Sequence, residues 1–155
     1  MPRLDQRGPF LLLFALNQQL GALLAHAMAR APLRPADFAV YSTLRLVQPA
    51  TPTELAATLG MRVTTLSSLL AKMEQQGHLC REPNPADGRS RLLSLTAAGR
   101  RATEDCFPAF GAAIEAFRRH LIADESQVLR HLEAVSQALI GATHELAGRA
   151  AERTG

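Results

Sequence analysis

The segment from Thr51 to Gly99, TPTELAATLGMRVTTLSSLLAKMEQQGHLCREPNPADGRSRLLSLTAAG, constrains the fold most, because start and stop signals for successive elements succeed one another in it without a gap. Thr51 can cap a helix, Pro52 stands where a missing N–H costs nothing, and Glu54 can reach back to the cap backbone to complete a capping box. Leu55, Ala56 and Leu59 give this helix a short apolar face, and Gly60 can take the left-handed conformation that ends it. A second helix starts near Arg62 or Val63. At about 100° per residue, Leu66, Leu69, Leu70 and Met73 share one side, with Val63 at its edge. The spacing is that of a helix-turn-helix.

The opposite side of the second helix carries Thr64, Ser68, Ala71, Lys72 and Gln75, with Thr65 flanking it. Short side chains let a helix sit deep in a major groove, where Ser and Thr meet base edges or phosphates and a Thr methyl meets a thymine methyl. Lys72 can neutralise a phosphate. Thr64, Thr65, Ser67, Ser68 and Lys72 are therefore the candidate DNA contacts of this helix. Taken alone, the same face also reads as an ordinary solvated one.

The residues after Gly77 tip the balance towards DNA. Leu79 to Glu82 and Arg91 to Leu95 read as two strands joined by PNPADGRS, with Asp87 and Gly88 as the turn signal. A β-hairpin directly after a reading helix is a wing. Arg89 lies at or next to its tip, where a guanidinium can enter a narrow, electronegative minor groove, and Arg91 and Arg81 are placed to meet flanking phosphates. Asp87 has an internal role in this reading: it accepts hydrogen bonds from the wing backbone or from Arg89, so that the arginine is held ready.

Taken together, these residues resemble the multiple antibiotic resistance regulator (MarR) family of winged helix-turn-helix repressors. The resemblance is carried by the T-P-T-E-L-A start, Thr65 and Leu66, Gly77, Arg81, Pro83, the Asp87-Gly88-Arg89 wing, and Leu95-Thr96 followed by Gly99. Order, spacing and flanking helices extend it over nearly the whole chain. Arg62 departs from the small helix cap usual in relatives, and Ser68 from the longer polar or basic reader that many carry.

The resemblance implies a mainly α fold with a small β-hairpin wing (α+β), a winged helix-turn-helix with long N- and C-terminal dimerisation helices. Its partner is double-stranded DNA, and a repressor is the expected role. It also implies an allosteric cavity between the dimer helices and the DNA-binding lobe, taking a small aromatic or anionic effector. His26, Arg30, Tyr41 and Arg45 lie near such a junction and can each hold a carboxylate or phenol. The alternative is that Tyr41 packs and Arg45 pairs with an acid.

Charge distribution supports a polyanionic partner. The net charge is +3, but from Arg62 to Arg101 seven basic residues stand against three acidic ones, an excess of +4 that leaves −1 for the rest. At 155 residues with 47% hydrophobic composition, the chain is one domain's worth with ample material for a core.

Helical patterns flank the winged unit. Phe10 to Met28 is apolar and alanine-rich, interrupted by Asn17, Gln18, Gln19 and His26, and Ala36 to Val47 forms a helix after Pro32 and Pro35. Another helix begins at the Thr96 cap, and Pro108 should bend or split it. The last runs from about Asp124, its cap, to about Arg149, with Val128, Leu132, Val135, Leu139, Ala142 and Leu146 forming a heptad seam. Ala150 to Gly155 should fray. The expected organisation is 1–34 for N-terminal dimerisation, 35–99 for DNA binding and 100–155 for C-terminal dimerisation. The terminal helices are too apolar for one winged domain to cover, so a homodimer is expected, with reading helices roughly 34 Å apart on a pseudopalindrome.

Other classes find less support. Arg3 and Arg7 before an apolar run resemble a secretory leader with AHA as a cleavage site, but Asp5 and the NQQ break argue against export. No uninterrupted apolar stretch reaches the roughly 18 to 20 residues of a membrane span, so no membrane partner is expected. Cys80 and Cys106 lack dithiol or metal spacing and read as cytoplasmic thiols, although Arg81 beside Cys80 leaves a redox-sensing regulator as an alternative. The five histidines show no paired ligand spacing, and no metal or cofactor is implied. No phosphate loop, nucleophile elbow or metal triad suggests an enzyme. A winged-helix protein-interaction module is the remaining alternative, which the basic wing disfavours.

Overall fold

The computed structural model describes residues 8–152. Expectations that rest on Arg3, Asp5 and Arg7 lie outside them; of the stretch 150–155 expected to fray, 150–152 instead continue the last helix, whose backbone hydrogen bonds carry past Arg149, and 153–155 lie outside the described residues. Among the described residues, seven helices and one hairpin succeed one another in order: α1 (Gly8–Ala27), α2 (Pro35–Val47), α3 (Pro52–Thr58), α4 (Val63–Gln75), β1 (Leu79–Pro83), β2 (Arg91–Leu95), α5 (Ala97–Glu104), α6 (Phe107–His120) and α7 (Glu125–Glu152). The chain forms two compact units, one ending at Ile114 and the other beginning at Glu115.

In the first unit, α2 supplies the centre of the core. Phe38, Val40, Tyr41 and Leu44 are buried together with Leu55 and Ala56 of α3, Leu66, Leu70 and Met73 of α4, and Leu79, Leu93 and Leu95 of the hairpin. These are the apolar sides read from the helical spacing, with Leu69 at the margin and Val63 exposed. Phe38 also packs against Phe107 and Phe110, with ring centroids 6.0 and 5.0 Å away. Cys106 is buried beside them, and burial pushes its thiol pKa up. The helix after Thr96 splits before Pro108, giving α5 and α6.

The hairpin is antiparallel, pairing Leu79 with Leu95 through to Pro83 with Arg91. Ala50 adds a bridge to Leu93, its N–H donating to the Leu93 carbonyl at 3.2 Å and its carbonyl accepting at 2.8 Å. The sequence pattern gives no sign of this third contact. A single bridging residue leaves no alternation to detect.

The apolar run interrupted by Asn17, Gln18 and Gln19 lies within one continuous helix, and an 18-residue window of α1 has a mean hydropathy of 1.4, so that, contrary to expectation, α1 is by length and composition long and apolar enough to cross a membrane. The three amides carry no charge, so the surrounding Leu, Ala and Phe outweigh them over a helix of this length. Phe10, Phe14 and Leu20 stand exposed along it.

In the second unit, Asp124 caps α7 by accepting from the backbone N–H groups of Ser126 and Gln127 and from the Ser126 hydroxyl. Arg118 grips Glu125 across the preceding turn with bonds of 3.0 to 3.1 Å. Leu132, Val135, Leu139 and Leu146, the expected seam, are exposed along α7.

Candidate nucleic-acid interface

Local hydrogen bonds fix the geometry of α3 and α4. Thr51 and Glu54 form the full capping box: the Glu54 N–H donates to the Thr51 hydroxyl at 3.2 Å, and the Glu54 carboxylate accepts from the Thr51 N–H at 2.7 Å. The Thr51 N–H, and then the Thr51 hydroxyl at 2.8 Å, donate to the Glu54 carboxylate and hold it below its usual pKa. At the other end Gly60 has φ +63°, the Met61 N–H donates to Ala56 and the Gly60 N–H to Ala57. Gly77 repeats this exit after α4, with φ +69° and His78 N–H donating to Met73. Both are Schellman turns, which aim the next element without a long loop. Arg62 is the N-cap of α4 and makes no side-chain cap bond, so α4 opens with Val63.

The polar residues of α4 divide between its outer face and its α2 flank. Thr64 is exposed, while the Ser67 and Ser68 hydroxyls donate back to the carbonyls of Val63 and Thr65 at 2.8 and 3.0 Å. Thr65, Ser68 and Lys72 line a groove of about 300 Å³ against Ala36, Asp37 and Val40 of α2. Lys72 is engaged there rather than standing free: its ammonium lies 2.7 Å from the Asp37 carboxylate. Helical spacing shows which face a residue occupies and not what the neighbouring helix presents to it.

The wing loop differs from a two-residue hairpin. Seven residues separate Pro83 from Arg91, and Gly88 is not left-handed. The chain reverses through two successive turns, Asp87 N–H donating to Asn84 at 3.2 Å and Ser90 N–H to Asp87 at 3.0 Å. Asn84 and Asp87 each close an Asx turn, accepting from Ala86 N–H and from Arg89 N–H at 3.0 Å. Asp87 thus orders the backbone of Arg89, whose side chain projects outward and exposed. Arg91 is exposed at the base of the loop.

Arg81 points back to α4, its Nε 3.1 Å from the Glu74 carboxylate, and so ties the wing to the helix. Arg81, Arg89 and Arg91 line a cleft of 580 Å³ together with Thr51, Thr53 and Val63. With Arg81 paired to Glu74 and Asp87 also on the lining, Arg89 and Arg91 are the cations this cleft offers to phosphates.

The four residues considered for an effector each have their own surroundings. Tyr41 is buried, its hydroxyl 2.9 Å from His78 Nδ1 and 3.3 Å from Gln76 Oε1. Arg45 stacks over Phe107 at 5.0 Å and pairs with Glu104 at 3.5 Å. His26 bonds through Nδ1 to the Ala22 carbonyl at 2.7 Å, and Arg30 is exposed after α1. Cys80 has the Glu82 carboxylate as its hydrogen-bond partner, while the adjacent Arg81 turns to Glu74.

The family model described as the MarR family matches residues 43–90, which span the last five residues of α2, the helix-turn-helix, β1 and the wing loop. The multiple antibiotic resistance protein MarR of Escherichia coli is 30% identical over 122 residues, 78% of this chain and 85% of that protein. The chain belongs to the MarR family. A mutant MarR from E. coli, solved in complex with operator DNA, matches with a TM-score of 0.71 and 28% identity over 81% of this chain and 90% of that one. PcaV from Streptomyces coelicolor shares the fold with a TM-score of 0.74 at 24% identity, covering 90% of this chain and 99% of PcaV. This MarR-family protein is a DNA-binding transcriptional regulator, not an enzyme.

Proposed function

We propose that the protein is a repressor that binds a pseudopalindromic operator as a homodimer, with α4 in the major groove and the wing in the adjacent minor groove. The observation that carries this reading is the wing: Arg89 stands exposed on a loop ordered by Asp87, and Arg81–Glu74 ties the hairpin to α4. Thr64, Thr65, Ser67 and Ser68 are the base-reading candidates, and Lys72, Arg89 and Arg91 the cationic ones, with Asp87 supporting Arg89. Residues 35–99 form the DNA-binding part, and 1–34 and 100–155 the dimerisation parts. The exposed apolar residues of α1 and α7 support the dimer, because two copies of the chain can cover one another's apolar helices. Binding of a mutant MarR to operator DNA supports the partner.

Selection of bound duplexes from a random or genomic pool tests this reading. The expected product is an inverted repeat with half-sites about one DNA turn apart. A recovered pool without sequence preference would refute it. For the effector, the proposal is a small aromatic or anionic molecule, with His26, Arg30 and Arg45 as its exposed candidates, while Tyr41 is buried against His78. Release of the selected duplex by benzoate, as a representative of that class, is the corresponding test.

A further inference from the structure

Lys72 is the sole lysine in the chain, among sixteen arginines, and it sits on the reading helix. Its ammonium is 2.7 Å from Asp37, a residue in the first turn of α2 that is only 18% exposed, whereas the Lys72 side chain is 47% exposed. The two ends of this pair differ in mobility. The carboxylate is fixed by its packed helix, and the cation hangs on a flexible four-carbon stem that can turn from one anion to another. An arginine would form a more rigid, planar pair. With its cation nearly half exposed, the pair contributes modestly to folding, and its effect falls mainly on the charge that α4 shows to a ligand.

We propose that Asp37 is a positioning residue that sets this charge: it neutralises Lys72 against non-operator DNA and yields it to a phosphate only when the rest of the interface docks in register. The inference rests on the proposed placement of α4 against DNA. Sequence-independent binding scales with the number of cations free to displace counterions from the duplex. Holding one of them in an internal pair lowers affinity for every wrong site, which is specificity gained by weakening competitors. On the operator, contacts from Arg89 and the threonines bring a phosphate close enough to compete with the carboxylate.

The experiment is a double-mutant cycle read by fluorescence anisotropy over a series of salt concentrations. It uses a mixed-sequence duplex of about 30 base pairs and a duplex of the same length enriched from a random pool by the wild-type protein. Asp37→Asn should tighten the mixed-sequence duplex by about threefold to tenfold near 50 mM salt and steepen its salt slope by about 0.9. It should tighten the enriched duplex less, so that discrimination falls, and Asp37→Glu should restore wild-type behaviour. In a Lys72→Gln background, Asp37→Asn should have little further effect. An equal effect in both backgrounds would show Asp37 acting only as a general negative charge, and unchanged mixed-sequence binding would also overturn the proposal. If Lys72→Gln flattens the slope on the enriched duplex while Asp37→Asn does nothing, this inference alone fails. If neither Lys72→Gln nor Arg89→Ala alters binding of either duplex, the placement of α4 and the wing fails with it.

Discussion

The hydroxyl of Tyr41 on α2 lies 2.9 Å from Nδ1 of His78, the residue just past the Gly77 turn, and the two rings meet edge to face with centroids 5.8 Å apart. The same His78 carbonyl accepts from the N–H of Thr96, whose hydroxyl donates to Gly77 at 2.7 Å and caps α5 by accepting from Gly99 N–H at 3.1 Å. One corner thus joins α2, the exit of α4, the root of the wing and the start of α5.

Burial, and then the nearby charge of Asp37, push the Tyr41 pKa from 10.0 up to about 12. The folded protein therefore keeps a proton that the unfolded chain releases between these values. The resulting stability is complete below pH 10 and is lost as pH rises towards 12. Tyr41→Phe should flatten this alkaline loss, at a cost of about 0.5–1.5 kcal/mol at neutral pH for the missing hydrogen bond. Urea denaturation of both proteins over a pH series measures it.

A methyl group at Gly99 would lie 2.3 Å from the His78 carbonyl oxygen, with backbone on both sides of the clash. Gly99→Ala should destabilise the protein by about 1–3 kcal/mol through this overpacking, visible as a lowered thermal midpoint. Gly111→Ala, where a Cβ meets open space, should cause no such loss.

At the wing, Arg89→Ala should weaken binding of the selected duplex strongly and leave thermal stability unchanged, since the side chain is exposed. Arg100→Ala should show the reverse, because its guanidinium donates to the Leu95 carbonyl at 2.8 Å, a part-buried bond that joins α5 to β2. Lysine at position 89 should rescue poorly, being harder to desolvate in a narrow groove. Asp87→Asn, which keeps an acceptor for the Arg89 N–H, should bind better than Asp87→Ala. Gel-shift titrations at one salt concentration rank the variants.

Replacing Leu132 and Leu139 together by glutamate should convert a dimer into monomers in sedimentation equilibrium. Both are exposed on α7 in the single chain, and burial of such side chains supplies roughly 1.5–3 kcal/mol each. A wild-type protein that sediments as a monomer at micromolar concentration would remove the dimer from the mechanism.

The sequence by itself determined the parts of this protein that depend on adjacent residues. The capping box at Thr51 and Glu54, the left-handed exits at Gly60 and Gly77, and the apolar sides of α3 and α4 all arise from hydrogen bonds and periodicities within a few positions. Asp87 was legible for the same reason, its partner being two residues away. Only the tertiary structure decided which charges remain free. Lys72 meets Asp37 across 35 residues and Tyr41 meets His78 across 37, while Glu74 and Arg81 face each other only because a Schellman turn folds the wing back against α4. An ion pair between exposed side chains has no sequence periodicity. It forms where packing of the apolar faces happens to bring two helices, or a helix and a hairpin, within a few ångströms.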